Sequence, residues 1–416
     1  MTRRPLRLRS LLMLLLLFTV ATACSRQLTE EQIQQVAPRI HEEAWVVDTH
    51  VDAPGSHLRD QTWLAGDRHA SGERGSGQWD IPRMIEGGED AIWLVVYVGQ
   101  GELTPEAYEN AYQRALPQFD WCRRMADTSP LAEIALSSTD AVRLHEAGRR
   151  ALFIGVENGY PIGLDLGKVK EFYDRGMRYM TLSHNGDNQI CASTNPRDRE
   201  REDFGLTDFG KQVVAELNRL GVIIDVSHIS DQSFFDLVEV SQAPVVASHS
   251  GVRALGENSR DMTDEMLLAL KKNGGVIQIV ALGSFLRPTP EIPGRDEALQ
   301  ALREEFGDRR QMSPERSQEY GTRMNEIRDK YPIPPVTIED FMKHLDYAVA
   351  LIGIDHVGFG SDFDGGGGVP GIDDVSALPN ITVEMLRRGY SEKEIKKFWG
   401  GNFLRVMKKV ERVAGK

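Results

Sequence analysis

The sequence predicts an α/β protein, a (β/α)₈ barrel of the TIM type with a long insertion between its seventh and eighth strands. Eight short, mainly apolar runs have the character of strands, two of them (221–226 and 243–247) rich in β-branched residues, and helical segments separate most of them. No internal repeat or low-complexity tract interrupts the series. The predicted strands are 44–47, 91–98, 151–156, 179–183, 221–226, 243–247, 275–280 and 356–360.

The N-terminus has the pattern of an export signal. Four arginines precede the apolar run 11–20, which is too short for a membrane-spanning helix. The sequence Ala-Thr-Ala before Cys24 fits an ordinary signal-peptidase site and also the processing of a bacterial lipoprotein. We favour a lipoprotein that is lipidated on Cys24, exported, and held at the periplasmic or cell-envelope membrane; the alternative is a secreted enzyme with an incidental cysteine.

This interpretation sets the expected domain organisation. Residues 1–23 form the cleaved signal, residues 24–43 a tether and an N-terminal helix, and residues 44–416 one barrel domain. Cleavage removes four arginines and no acids, so the formal net charge changes from −13 to −17. That charge argues against nucleic acid as a partner. Cys122 and Cys191 predict either one disulfide or two buried thiols.

The helical stretch 30–43 leads into the first strand, which runs into Asp48, His50 and Asp52. The period of two in a strand puts these three side chains on one face. His-x-Asp is a natural pair of metal ligands, although it also occurs by chance in many chains. The second strand, 91–98, is followed by a helical region, 105–127, and the third ends in Glu157, which a helix cap would explain equally well.

The fourth strand ends in His184, and the fifth and sixth each end in Ser-His, giving His228 and His249. The amphipathic segment 231–239 between the latter two is long enough for the crossover of a βαβ unit. The two strands would then be parallel, with both imidazoles at the carboxyl-terminal rim of the barrel.

The seventh strand is followed by residues 283–334, far longer than a βα connection needs. They form either a solvated helical insertion or a wall or lid of the substrate pocket, and we favour the second because they begin beside the site. The eighth strand ends in Asp362 and Asp364. Histidine and carboxylate side chains therefore follow six predicted strands, a set without thiolates that favours zinc over manganese or iron. The number of ligands predicts two metals joined by a bridging carboxylate.

At this point the chain resembles the membrane (renal) dipeptidase family of zinc peptidases, within the metal-dependent amidohydrolases. The spacings also match, with 27 residues from Glu157 to His184, 21 from His228 to His249 and 11 from His249 to Arg260. The resemblance covers nearly all of the mature chain. The segments that show the resemblance are 48–52, 80–88, 155–157, 182–185, 225–228, 248–250, 258–260, 360–365 and 401–406.

The resemblance implies a dipeptidase with two Zn²⁺ ions and a role for each matching residue. His50 and Asp52 would hold one zinc, His228 and His249 the other, and Glu157 would bridge them. A hydroxide between the metals would attack the peptide carbonyl.

The remaining roles concern the substrate. His184 would bind the substrate carbonyl and stabilise the oxyanion, and Arg260 would bind the free carboxylate of the dipeptide. Asp362, chosen over Asp364 by resemblance, would shuttle the proton. Asp48 and Asp225 are expected to orient the ligand histidines.

Departures from the family pattern surround the substrate and not the metals. Asn158 stands where relatives often have glycine, and the stretch after Asn185 also differs. The substrate is therefore the open question: a dipeptide, including L-D dipeptides, is expected, while an N-acyl amino acid or lactone hydrolase is the alternative. A non-catalytic binding lipoprotein ranks third because every ligand position is filled. A homodimer is one option for assembly.

Overall fold

The computed structural model describes residues 28–60, 77–196, 200–307 and 312–416. In these ranges nine parallel strands form one sheet, in the order β1-β2-β4-β5-β6-β7-β8-β9 with β3 beside β4. The strands are β1 Val47–Val51, β2 Ala91–Tyr97, β3 Ala132–Ile134, β4 Arg150–Glu157, β5 Met177–Thr181, β6 Ile223–Asp225, β7 Val246–Ser250, β8 Val276–Val280 and β9 Val357–Gly360.

The two ends of the sheet meet and nearly close it into a barrel. Val51 pairs with Phe363 in parallel, and the Asp52 amide donates to the Phe363 carbonyl oxygen at 2.9 Å. The Asp362 amide donates to the His50 carbonyl oxygen at 3.0 Å. The predicted (β/α)₈ barrel is therefore confirmed, and β3 lies outside its eight strands.

Helices surround the barrel, and most of the connecting ones begin at a Ser, Thr or Asp whose side chain accepts a backbone N–H of the first turn. The helices of the described ranges are α1 Glu30–Glu43, α2 Ala53–Asp60, α3 Ile81–Glu86, α4 Pro105–Asp127, α5 Ser138–Glu146, α6 Gly167–Asp174, α7 Asp208–Leu220, α8 Asp231–Val240, α9 Arg253–Gly256, α10 Asp264–Asn273, α11 Gly283–Leu286, α12 Arg295–Phe306, α13 Pro314–Lys330, α14 Ile338–Ile352, α15 Pro379–Arg387, α16 Glu392–Lys396 and α17 Asn402–Val413.

The end of the barrel at which the strands begin is filled by apolar side chains. Trp93 stacks on Phe153 and Tyr179 with ring centroids 4.7 and 4.9 Å apart. The buried face of α17, led by Phe403, packs into the same cluster and covers that end. Because apolar packing seals this end, the polar side chains of the interior are left at the carboxyl-terminal end.

The N-terminal helix and the long insertion behave differently. Helix α1 packs on α15 through three buried apolar residues, so residues 30–43 belong to the folded body. Helices α12 and α13 instead bury Leu302, Phe306 and Tyr320 in a small cluster separate from the barrel core. No helix in the described ranges is long and apolar enough to span a membrane. Cys24 and the predicted signal lie outside those ranges.

Two expectations about the elements need correction. The first strand is Val47–Val51 and not the apolar run 44–47, so Asp48 and His50 lie within it. In the same way, the sixth predicted strand, 243–247, is observed as Val246–Ser250, so His249 lies within it. The short strand β3 was not predicted, because three residues give too weak a period-two pattern. Of the two alternatives for the cysteines, the structure has two free thiols, both buried.

Candidate metal centre and substrate cavity

Six predicted ligand and catalytic side chains converge at the carboxyl-terminal end of the barrel. Histidine nitrogens and carboxylate oxygens form three overlapping groups in which all atoms lie within 4.8 Å of one another. The groups are His50 with His249 and Asp362, Glu157 with His228 and His249, and His50 with Asp52 and Glu157. Their residues come from β1, β4, β7 and the segments after β1, β6 and β9, so only closure of the barrel brings them together.

We call Glu157, His228 and His249 the histidine half of this centre. The two Nε2 atoms are 3.0 Å apart, and they lie 3.1 and 3.5 Å from Glu157 Oε1. Ligands of one tetrahedral zinc, with bonds of about 2.0–2.1 Å, are separated by about 3.3 Å. Burial lowers the pKa of both imidazoles well below the usual range, so each is neutral and has a lone pair to offer. This triangle fits one divalent cation.

We call Glu157, His50 and Asp52 the carboxylate half. His50 Nε2 lies 3.6 Å from Asp52 Oδ2 and 3.6 Å from Glu157 Oε1, and it makes no hydrogen bond within the described ranges. Burial opposes a charge on His50, but Glu157 and Asp52 outweigh it and raise its pKa to about 10. The proton on the His50 imidazole partly neutralises Asp52 and Glu157, and a bound metal cation would neutralise the same two carboxylates. This group therefore also fits a metal ion.

Hydroxyl groups, and not the carboxylates we expected, contact the ligand rings. Tyr179 Oη lies 2.9 Å from His50 Nδ1, and Ser248 Oγ lies 2.8 Å from His249 Nδ1. Asp225 accepts a hydrogen bond from Ser248 Oγ at 2.7 Å and so acts on His249 through it. Asp48 accepts backbone amides, those of His50 and Ser361. Tyr179 could not be identified from the sequence, because it is a buried residue of β5 like its neighbours.

Several turns at the site use the left-handed backbone region. His228, Asp362 and Asp364 have φ of 70°, 61° and 62°, and Asn158 has φ of 74°. Asparagine tolerates this region better than most side chains, and glycine tolerates it best. The geometry thus accounts for asparagine at position 158, where the resemblance leads us to expect glycine. Its side chain adds bonds that glycine lacks, donating to the Val98 carbonyl oxygen at 3.0 Å.

A cavity of about 950 Å³ opens over the metal centre. Besides the centre, its walls are Gly55, Tyr97, Arg114, Gln118, His184, Asn185, Thr194, Asn195, Asn258, Ser259, Arg260, Leu282, Phe285, Asp364 and Gly365. Of the insertion 283–334, Phe285 near its start lines this cavity in the described ranges, and helices α12 and α13 do not. The expected wall is therefore built by the beginning of the insertion.

Arg260 and His184 hold the positions from which they could contact a substrate. Arg260 is 7% exposed and donates through Nη1 to Ser250 Oγ and through Nη2 to the His249 carbonyl oxygen, both at 2.8 Å. Its Nε is buried without a hydrogen-bond partner in the described residues. His184 Nε2 is 3.9 Å from Glu157 Oε1. Burial lowers the pKa of His184 to about 4, so the ring is neutral near pH 7.

Asp362 and Asp364 both line the cavity but differ in their contacts. Asp362 belongs to the group with His50 and His249, and burial, with the charge of Asp52, raises its pKa to about 7. Asp364 Oδ1 instead accepts the backbone amide of Gln78 at 2.9 Å, and the Gln78 side chain accepts the Asp364 amide at 3.1 Å. The neighbour of the metal centre is thus Asp362.

Comparison with known proteins agrees with this geometry. The family described as "Membrane dipeptidase (Peptidase family M19)" matches residues 34–416. The chain belongs to this family. It is accordingly a hydrolase of the metallopeptidase class, and the resemblance noted in its sequence is confirmed.

Individual relatives cover most of the chain. Dipeptidase tcpJ of Claviceps purpurea is 30% identical over 345 residues, which are 82% of this chain and 71% of that protein. The probable dipeptidase PvdM of Pseudomonas aeruginosa has a TM-score of 0.78 at 31% identity, covering 92% of this chain and 100% of that one. A metallopeptidase of Rhodobacter sphaeroides, liganded with a phosphinate mimic of L-Ala-D-Ala, has a TM-score of 0.69 at 25% identity, covering 88% and 99%.

Proposed function

We propose that this protein is a binuclear zinc dipeptidase that hydrolyses dipeptides, including those with a D-residue at the carboxyl terminus. The observation that carries the proposal is the position of Glu157, whose Oε1 lies within 3.6 Å of His50, His228 and His249 nitrogens. One carboxylate shared by two groups of ligands is the arrangement that a two-metal site requires. The donors are imidazoles and carboxylates with no thiolate, a set that suits zinc.

The two zinc ions would supply an acidified water and a Lewis acid at the peptide carbonyl. The chain's own residues would do the rest. The Arg260 guanidinium, with its buried Nε, would bind the terminal carboxylate and fix the scissile carbonyl over the centre. A neutral His184 would donate one ring N–H to the carbonyl oxygen as negative charge develops there.

Proton transfer falls to the Asp362 carboxyl. Burial raises its pKa to about 7, which suits a group that must both accept and release a proton near neutral pH. It would take the proton of the attacking water and deliver it to the nitrogen of the leaving amino acid. A dipeptide has the free carboxylate that Arg260 requires, and the Rhodobacter relative with its L-Ala-D-Ala mimic supports including D-residues at that position.

The test is metal content of the purified mature protein, combined with hydrolysis of L-L and L-D dipeptides before and after chelation. The proposal expects about two zinc ions per chain and activity that chelation abolishes and zinc restores. If the protein binds two metals but cleaves N-acyl amino acids or lactones and not dipeptides, the alternative hydrolase function would be supported. No metal uptake at all would leave the binding-lipoprotein hypothesis.

The role of Asp362 has a matched test in the same turn. Asp362→Asn keeps the shape but cannot carry the proton, so kcat should fall by about 10²–10⁴-fold with zinc still bound. Asp364→Asn is the matched control. It removes the same charge two residues away, from a carboxylate that accepts the Gln78 backbone amide. A D362N enzyme as active as wild type would refute the proton-transfer step.

We also propose export and lipid anchoring at Cys24, supported by the arginines, apolar run and Ala-Thr-Ala sequence before it. Cys24→Ser should release the protein from the membrane fraction of producing cells without loss of dipeptidase activity. Unchanged membrane fractionation of the C24S protein would refute the anchor.

A further inference from the structure

Arg114 is a cationic side chain of the cavity that the proposed mechanism does not use. It lies on α4, is exposed, and lines the cavity above the metal centre. Within the described ranges its guanidinium forms no ion pair. Arg253, on α9 after β7, is by contrast bound by both carboxylate oxygens of Asp231 at 2.6 Å. Arg114 is thus a cation at the mouth of a binding cavity, and no carboxylate among the residues that the structure describes forms an ion pair with it.

The barrel holds Arg114 in place through Gln118, one helical turn further along α4. Gln118 Oε1 accepts the backbone amide of Tyr97 at 3.0 Å, and its Nε2 donates to the Tyr97 carbonyl oxygen at 2.7 Å. These two bonds fix α4 against the end of β2. Arg114 follows on the same helix face, about 6 Å nearer the helix N-terminus and therefore nearer the rim. Burial raises the pKa of Tyr97 and the positive charge of Arg114 opposes this, as expected of near neighbours.

Arg114 and Arg260 lie on opposite sides of the cavity. Helix α4 follows β2, whereas Arg260 follows β7, and in the barrel order three strands separate β2 from β7 in either direction. In the proposed complex, Arg260 binds the terminal carboxylate of the substrate, and the scissile carbonyl lies over the metal centre. The N-terminal residue of the substrate is then directed toward β2. An extended dipeptide spans about 7 Å, so the side chain of that residue points to the wall where Arg114 lies.

We propose that Arg114 determines specificity for an acidic N-terminal residue, so that the enzyme prefers dipeptides beginning with glutamate or aspartate. This inference rests on the proposed dipeptidase function and names its substrate class. A guanidinium binds a carboxylate through a planar fork, and a carboxylate is the group that the side chain of an N-terminal glutamate or aspartate offers. Much of the remaining wall is asparagine, serine and threonine, which do not discriminate by charge, and the Asp364 carboxylate there accepts the Gln78 amide.

The experiment compares L-Glu-Ala with L-Gln-Ala, which are nearly isosteric, on the zinc-loaded enzyme, using the alanine enantiomer that is cleaved faster. The measured quantity is the ratio of the two kcat/KM values, in which a general loss of activity cancels. We expect a ratio of about 5 in wild type at low salt, falling toward 1 in Arg114→Gln. Raising the salt to about 0.5 M should also lower the wild-type ratio. Arg114→Glu should reverse the preference, so that Lys-Ala is cleaved faster than Glu-Ala.

Arg123→Gln is the matched control, since it removes the same charge from an exposed position of the same helix outside the cavity. It should leave the ratio at the wild-type value. Equal ratios in wild type and R114Q, with Gln-Ala cleaved, would overturn this inference and leave the dipeptidase function intact. Failure to cleave any dipeptide in the panel would overturn both.

Discussion

The histidine half and the carboxylate half share Glu157, yet they differ in charge. In the histidine half, burial keeps His228 and His249 neutral, and Glu157 is the one carboxylate among its three residues. In the carboxylate half, Asp52 joins Glu157, and their combined charge raises the pKa of His50 to about 10. One half therefore has lone pairs ready for a cation, and the other holds a proton that a cation would displace.

This difference follows from the strands that supply each half. A Ser-His pair follows β6 as Ser227-His228 and lies within β7 as Ser248-His249, so each serine supplies a hydroxyl near the centre and each histidine a nitrogen. Strand β1 instead leads through His50 to Asp52, which brings a carboxylate. Two electrostatic environments only a few ångströms apart thus arise from different residues at equivalent strand ends. Glu157 is the group on which both depend.

The largest effect should come from Glu157→Gln, which changes both halves at once. The amide keeps the size of the side chain but removes the negative charge between the two cation positions. We expect metal content to fall from about two to less than one per chain, and kcat/KM to fall on the order of 10³-fold or more. Elemental analysis after dialysis and dipeptide kinetics measure the two quantities. Glu106→Gln, at an exposed position of α4, should change neither.

A pair of variants should separate the halves. Asp52→Asn weakens the carboxylate half alone and His228→Asn the histidine half alone, so each should retain about one metal per chain and lose about 10²–10³-fold in kcat/KM. The metal that D52N retains should resist a weak chelator. His228 and His249, which hold it, are already neutral and release no proton when they bind the metal. Loss of both metals from both variants would mean that the halves are one cooperative site.

A smaller effect is expected from Tyr179→Phe. This change removes the hydroxyl that lies 2.9 Å from His50 Nδ1 and leaves the ring in the core. Partners of this kind typically contribute 10–100-fold to metal affinity. Competition with a chromophoric chelator should show one of the two affinities reduced by about that factor and the other unchanged. Tyr112→Phe, whose hydroxyl contacts Glu171 on the outside of the barrel, provides the comparison.

The smallest effect should lie outside both halves, at the buried carboxyl of Asp261. Burial raises its pKa to about 7, while its Oδ1 accepts the Gly251 amide at 2.9 Å. Between about pH 4 and 7 the unfolded chain ionises this group and the folded chain does not, so the free energy of unfolding falls as pH rises through that window.

Asp261→Asn cannot ionise in either state and should lack this decline. The difference in unfolding free energy between wild type and D261N should change by at most about 1.4 kcal/mol per pH unit, as measured by denaturant titration of the metal-free protein. A difference that does not vary with pH would show that burial alone does not raise carboxyl pKa values at this end of the barrel. The charge environment of the two halves would then need another cause.

Much of the fold could be predicted from the sequence because barrel strands are buried on both faces. Runs such as 91–96 are apolar throughout, and the start of helix α4 is marked by Thr104 and Pro105. The short strand β3 and the position of β1 could not be predicted in this way. In β1 the strand continues through Asp48 and His50, polar residues whose burial depends on partners elsewhere in the chain.

For the site, the sequence by itself determined which side chains stand at the strand ends, since motifs such as Ser-His and Gly-Val-Glu are local. The tertiary structure alone decided how those residues are used. Closure of β1 on β9 brings His50 beside Asp362, and long-range contacts give Tyr179 to His50 and Asp225 to Ser248. It also sets Arg114 across the cavity from Arg260. These relations depend on distances between residues far apart in the chain, which no local pattern of residues encodes.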